Sequence, residues 1–236
     1  MSPDEISERR STGPRHPSRP SNPSHPSPPS HPSLGAILLA GGRGTRVDGA
    51  AKPMFDVGGR TLLAAAVDAA RRAGADPITV AAPLLDPALA VDWVREDPPF
   101  GGPVAAAVTA LDAWAASGLA PAWTLLLACD LPTVDAAVAR LVADMVLLPS
   151  DTDGLCLGDA SSRPQWLVGA YRTAALQRAT SDLPDGGRDA SVRALVSELA
   201  IAVIAAPDAL TRDVDTWEDL EEARARAAGV ATEEHR

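Results

Sequence analysis

The sequence predicts an α/β fold of three layers, with a mostly parallel central sheet covered by helices on both faces. Apolar runs of five to seven residues alternate with helical stretches from residue 34 onward. Strands buried on both faces read as unbroken apolar runs, and parallel neighbours need a crossover, which the intervening helices supply. The Pro/Ser-rich composition of residues 1–33 marks where the fold begins.

In chain order, the first strand is the run 34–40, closed by Gly41-Gly42. The Ala/Leu-rich stretch 61–72 is predicted to be a helix ending at Gly74, since glycine takes the left-handed conformation past a helix end without a Cβ clash. A second strand follows at 78–82, then a helix at 103–116. Residues 123–128 (Trp-Thr-Leu-Leu-Leu-Ala) form a strand that stops at Cys129-Asp130. Residues 134–148 are predicted helical with Thr133 as the N-cap. Strands at 154–157 and 165–171, two helical stretches, a strand at 201–204 and a final helix at 217–227 complete the pattern.

The chain has 236 residues, with 21 Lys+Arg against 31 Asp+Glu, a formal net charge of −10. Nucleic-acid binders need a positive surface, so no nucleic-acid partner is expected. No apolar run reaches the ~18–20 residues that span a membrane, so no membrane association is expected either. Residues 1–33 hold nine of the 22 prolines and are expected to be a disordered tail. That tail lacks the apolar core of a secretory signal. The domain is expected over 34–228, with a flexible C-terminus at 229–236. Three of the four histidines (His16, His25, His31) fall in the tail and His235 stands next to the end. That argues against histidine acid–base catalysis and a histidine-ligated zinc site in the body. Cys129 and Cys156 form no CxxC and read as reduced core residues of a cytoplasmic protein. Lys52 is the single lysine of a chain that otherwise uses arginine.

Ligands of such sheets sit at the carboxyl ends of strands. The places to search are therefore residues 41–52, 95–106, 129–133 and 211–216. The glycine-rich run Leu38-Leu39-Ala40-Gly41-Gly42-Arg43-Gly44-Thr45-Arg46 leaves the first strand. Glycines let backbone N–H groups approach a phosphate, and Arg46 and Lys52 can balance its charge. The run is no P-loop, because no Gly-Lys-Ser/Thr follows at the required spacing. A dinucleotide-binding loop wants an acidic residue at the end of the second strand, where Ala81-Ala82-Pro83 has none. Asp130, where a buried strand stops, can hold Mg²⁺ against a triphosphate or can cap the helix beginning near Pro132-Thr133. Thr216-x-x-Asp219 reads as a capping box for the last helix.

The run continues as Lys52-Pro53-Met54, Gly58-Gly59 and Leu62-Leu63. Further blocks follow at Arg95-Glu96-Asp97-Pro98-Pro99-Phe100-Gly101-Gly102-Pro103-Val104, at Leu127-Ala128-Cys129-Asp130-Leu131-Pro132 and at Asp213-Val214-Asp215-Thr216-Trp217. Taken in this order, over roughly residues 34–228, the sequence resembles the molybdenum cofactor guanylyltransferase (MobA-like) family of nucleotidyltransferases.

The resemblance implies a single Rossmann-like nucleotidyltransferase domain that joins the GMP unit of GTP to molybdopterin and releases pyrophosphate. It implies catalytic roles for Lys52, Arg46 and Asp130. It implies nucleotide contacts from Leu39, Ala40, Gly41, Gly42, Lys52, Asp97, Gly102, Pro103 and Asp130. Mg²⁺ is then the cofactor, held by Asp130 and Asp215 with Asp213 as a further candidate, and Arg163 belongs to an acceptor-side segment. Cofactor-delivering proteins or molybdoenzymes are the implied protein partners. Two departures stand out: the Arg46–Lys52 spacing is one residue longer than in many members, and Ala81-Ala82-Pro83 stands where some members carry Asn. The alternatives are a cytidylyltransferase or sugar-phosphate nucleotidyltransferase of the same superfamily, a nicotinamide-dependent oxidoreductase, and a non-catalytic nucleotide sensor.

Overall fold

A computed structural model describes residues 32–42 and 45–233. The tail expected at 1–33 lies, as far as residue 31, outside the described residues. The chain runs through β1 (Leu34–Leu39), the short pair β2 (Asp56–Val57) and β3 (Arg60–Thr61), α1 (Leu62–Arg72), β4 (Ala75–Ala81), β5 (Asp92–Val94) and α2 (Gly102–Ala116). It continues through β6 (Trp123–Ala128), α3 (Val134–Met145), β7 (Gly154–Gly158), β8 (Pro164–Arg172), α4 (Thr173–Ser181), α5 (Val192–Val196), β9 (Ile201–Ala205) and α6 (Trp217–Glu233).

Seven strands form one sheet in the order β5-β4-β1-β6-β8-β7-β9. β8 alone runs against its neighbours β6 and β7, and every other pairing is parallel. β1 shows why its sequence is apolar throughout. Ala36 and Leu38 face a core shared with α1 (Leu63, Val67, Ala70) and α3 (Ala137, Leu141). Ile37 and Leu39 face the opposite core, shared with α2 (Ala107, Leu111, Trp114), α4 (Leu176) and α5 (Leu195). Alternate residues of a strand point to opposite faces, so both must be apolar when helices cover both.

The joints explain the element ends. Thr61 caps α1, its hydroxyl accepting from the Ala64 N–H at 3.1 Å. Trp114 is buried on α2 and donates its indole N–H to Thr79 on β4 at 2.7 Å. Its ring leaves no room at Gly35, where a Cβ would stand 2.8 Å from it. Tyr171 is likewise buried, and its hydroxyl donates to the Trp166 carbonyl at 2.6 Å.

The structure differs from the sequence reading at several ends. β4 begins at Ala75, ahead of the apolar run, because its first residues pair with β1 at Leu34. β5 and the β2–β3 pair are too short to register as periodic runs. α3 stops at Met145, and Thr133 does not cap it: the Thr133 hydroxyl donates instead to the Ala209 carbonyl at 2.5 Å. α6 runs on to Glu233, beyond residue 227.

Candidate active site

The carboxyl ends of β1, β4 and β6 open into a cavity of about 480 Å³. Leu39, Ala40, Gly41 and Gly42 enter it directly from β1. The β1 exit is fixed from both sides: Ala40 N–H donates to the Ala81 carbonyl at 3.3 Å, and Cys129 N–H donates to the Leu39 carbonyl at 3.1 Å. Gly42 has φ +149°, a conformation closed to other residues at low cost. Lys52, in the short 3₁₀ turn Lys52–Met54, and Arg46 reach the same cavity, as do Asp130 from β6 and Asp215 from the segment before α6.

The carboxylates converge because the two segments are stitched together. The Val214 N–H donates to the Asp130 carbonyl at 2.9 Å, which brings the residues ahead of α6 against the end of β6. Asp130, Asp213 and Asp215 thereby each offer an oxygen within 4.8 Å of the others. Asp215 is compensated: Lys52 Nζ lies 2.5 Å from its Oδ1, and the Arg46 guanidinium pairs with its other oxygen. Asp130 is not. Its Oδ1 is buried and has no hydrogen-bond partner. Burial, and then the neighbouring Asp213 and Asp215 charges, push its carboxyl up to about 6, against the opposing pull of Lys52. Burial and Asp215 also raise Asp213.

An orphaned buried carboxylate oxygen inside a carboxylate cluster is costly on its own and favourable beside a cation. The donor set is all oxygen, which suits a hard divalent ion such as Mg²⁺. Asp130, Asp213 and Asp215 therefore fit a metal. The capping alternative for Asp130 finds no support, because its side chain donates and accepts no bond at α3. Thr216 and Asp219 form the expected capping box: Asp219 accepts from Thr216 N–H at 2.9 Å, and Asp219 N–H donates to the Thr216 hydroxyl at 3.2 Å. The Thr216 hydroxyl bond first of all holds the Asp219 carboxyl below its ordinary range.

The structure brings together Leu39, Ala40, Gly41, Gly42, Arg46, Lys52, Asp130 and Asp215. It leaves Asp97, Gly102 and Pro103 off the cavity wall and puts their neighbours Arg95, Glu96 and Phe100 on it instead. The reason is local. The Glu96 carboxylate accepts the Phe100 N–H at 2.9 Å, folding the loop back on itself, and Asp97 is left exposed. Arg95 stands over the Phe100 ring, 5.7 Å from its centre. Pro83 and Leu85, beyond β4, complete that end. The position of 95–106 after a strand signals the segment, but no spacing tells which of its side chains turn inward. Arg163 lines a separate cavity.

A model of the MobA-like NTP transferase domain matches residues 36–202. The chain belongs to this family. It is a nucleotidyltransferase. A probable molybdenum cofactor guanylyltransferase of Synechococcus elongatus is 34% identical over a 168-residue alignment that covers 65% of this nucleotidyltransferase and 79% of that protein. Among solved structures, a nucleotidyl transferase from Methanothermobacter thermautotroptrophicus matches with a TM-score of 0.63 at 21% identity, over 84% of this chain and 99% of that one. Molybdopterin-guanine dinucleotide biosynthesis protein A from Archaeoglobus fulgidus matches with a TM-score of 0.60 at 16% identity, over 82% and 98%. At these identities the two structures share the fold of this MobA-like transferase. No helix of the described residues is long and apolar enough to cross a membrane.

Proposed function

We propose that this transferase moves GMP from GTP to the phosphate of molybdopterin, releasing pyrophosphate, as a step of molybdenum cofactor biosynthesis in the cytoplasm. The observation that carries the reading is the convergence of Lys52, Arg46 and the orphaned Asp130 on one cavity at the strand ends. The function named for the Synechococcus relative supports the choice of substrates. The free thiols of Cys129 and Cys156 are in keeping with a reducing compartment.

In the reaction an oxygen of the acceptor phosphate attacks the α-phosphorus of GTP. The new P–O bond forms as the bond from that phosphorus to the oxygen bridging the β-phosphate breaks, and pyrophosphate leaves with the electron pair. A phosphate monoester is largely ionised at neutral pH, so no protein base is needed. The obstacle is charge. Two unit charges 4 Å apart repel by about 1 kcal/mol in water and about 4 kcal/mol at an effective dielectric near 20. Lys52 and Arg46 are preorganised donors that offset this as charge shifts toward the leaving pyrophosphate. Gly41 and Gly42 leave the backbone open to the phosphates, while Leu39 and Ala40 fix where that backbone begins. Asp130 and Asp215, with Asp213 beside them, are the residues that would hold Mg²⁺, and when bound the ion supplies further neutralisation of the polyphosphate. Guanine is assigned to the 95–103 segment, with Arg95, Glu96 and Phe100 on the wall and Asp97, Gly102 and Pro103 shaping the loop behind them.

The test is pyrophosphate release by the full chain with molybdopterin, across the four nucleoside triphosphates, with Mg²⁺ and with chelator. Release with GTP in the presence of both acceptor and Mg²⁺ is expected. Preference for CTP would overturn the guanine assignment, and binding of GTP without release under any condition would make the protein a sensor.

A further inference from the structure

The cavity that holds Lys52 and Asp130 adjoins a second one, of about 930 Å³. Its wall includes Arg163, Gln165 and Trp166 at β8, Arg193 on α5, and Asp213. Arg46 and Asp215 line both cavities, so the ion pair between them is the shared partition.

Two of the arginines here differ from the rest. Among the described residues, the guanidinium groups of Arg163 and Arg193 make no ion pair, hydrogen bond or ring contact, whereas every other described arginine engages a carboxylate, a carbonyl or a ring. The chain has 31 acidic residues against 21 basic ones, so partners for arginine are plentiful. The two that go without share one wall. Both are also mounted on fixed backbone. The Arg163 N–H donates to Asp159 Oδ1 at 2.9 Å and its carbonyl accepts from the Asp159 N–H at 3.1 Å. Arg193 sits in a helix capped by Ser191, which accepts from the Ala194 N–H at 3.1 Å, and anchored by buried Leu195 and Val196. A planar guanidinium offers paired donors that match the geometry of a phosphate. Two of them, unpaired and facing one cavity beside the phosphate end of the donor site, describe a receptor for a dianion brought from outside.

We propose that Arg193 acts with Arg163 as an anion clamp that holds the phosphate of the acceptor. The inference rests on the proposed function for what occupies the neighbouring cavity, and it adds Arg193 as a determinant of acceptor choice. The clamp holds the acceptor phosphate beside the Arg46–Asp215 pair, which also borders the donor cavity.

Two measurements on the full chain test it. In steady-state kinetics, Arg193→Ala raises the KM for molybdopterin about 10- to 100-fold, as for the loss of one charge-assisted hydrogen bond. The KM for GTP stays where it was, and Arg193→Lys recovers part of the loss. An unchanged acceptor KM in Arg193→Ala, or an equal rise in the KM for GTP, overturns the clamp. The second measurement needs no turnover. With arginine side chains labelled for NMR, inorganic phosphate shifts the Nε–H signals of Arg163 and Arg193 together, and Arg193→Ala weakens the response at Arg163. Signals that ignore phosphate overturn the clamp even if GTP is turned over. Signals that respond in a protein that never releases pyrophosphate leave the clamp standing and remove the guanylyltransferase reading.

Discussion

Replacing Asp130 by Asn should make the metal-free protein more stable while destroying its activity. The Asp130 carboxyl titrates at about 6 in the fold, against an ordinary value of 3.8, because burial strips it of water and Asp213 and Asp215 repel it, against the pull of Lys52. A group whose folded value is raised is penalised in its ionised form. Stability is therefore full below the unfolded value and falls as pH rises through the interval from 3.8 to about 6. A difference of roughly two units corresponds to about 3 kcal/mol as an upper value. Asn has the same shape and carries no charge, so it escapes this penalty. In thermal melts with chelator at about pH 8, Asp130→Asn should melt higher by up to about 6–12 °C, given roughly 2–4 °C per kcal/mol for a domain of this size. Near the unfolded value of 3.8 the two proteins should melt together. Mg²⁺ should raise the melting temperature of the wild type and leave the variant unmoved. If the variant melts at or below the wild type in chelator at high pH, Asp130 is not a strained, metal-seeking carboxylate and the reasoning fails.

Three other outcomes follow from the same geometry. Lys52→Ala should lower kcat/KM by about 10²-fold or more, since one preorganised charge is lost from the developing pyrophosphate; wild-type kinetics would make the lysine incidental. Mg²⁺ affinity, followed by titration calorimetry, should weaken as pH falls through about 6, because a proton then competes for Asp130; a flat profile would place the metal elsewhere. Gly35→Ala should destabilise the fold by about 1–3 kcal/mol in denaturant titration, because the new methyl meets the Trp114 ring in a filled core, and no loss would mean that the α2–β1 packing is slack.

Much of the fold was legible because its strands are apolar on both faces. The short apolar runs 34–40 and 123–128 read as strands, and they are β1 and β6. β5 was hidden because three residues carry no period, and β2–β3 because a two-residue pair is made by its turn at Gly58-Gly59. The part of the site around Lys52 and Asp130 was readable for a different reason. Its residues are chemically singular: one lysine in the chain, a glycine pair at a strand end, and an aspartate where a buried strand stops. The 95–103 side of the cavity was not readable residue by residue. Whether Asp97 or its neighbours face inward depends on Glu96 bonding to the Phe100 N–H, a local contact that spacing does not encode. Arg193 was missed for a related reason, since a helix of five residues gives an arginine no distinguishing pattern until the topology brings α5 beside β8.

A crystal structure of the protein with Mg²⁺ and a non-hydrolysable GTP analogue tests the central claim most directly. The triphosphate should lie along Gly41 and Gly42 with Lys52 on its oxygens, and the ion should sit about 2.0–2.1 Å from an Asp130 oxygen. A nucleotide found with its phosphates away from Lys52, or an ion that leaves Asp130 untouched, would contradict it.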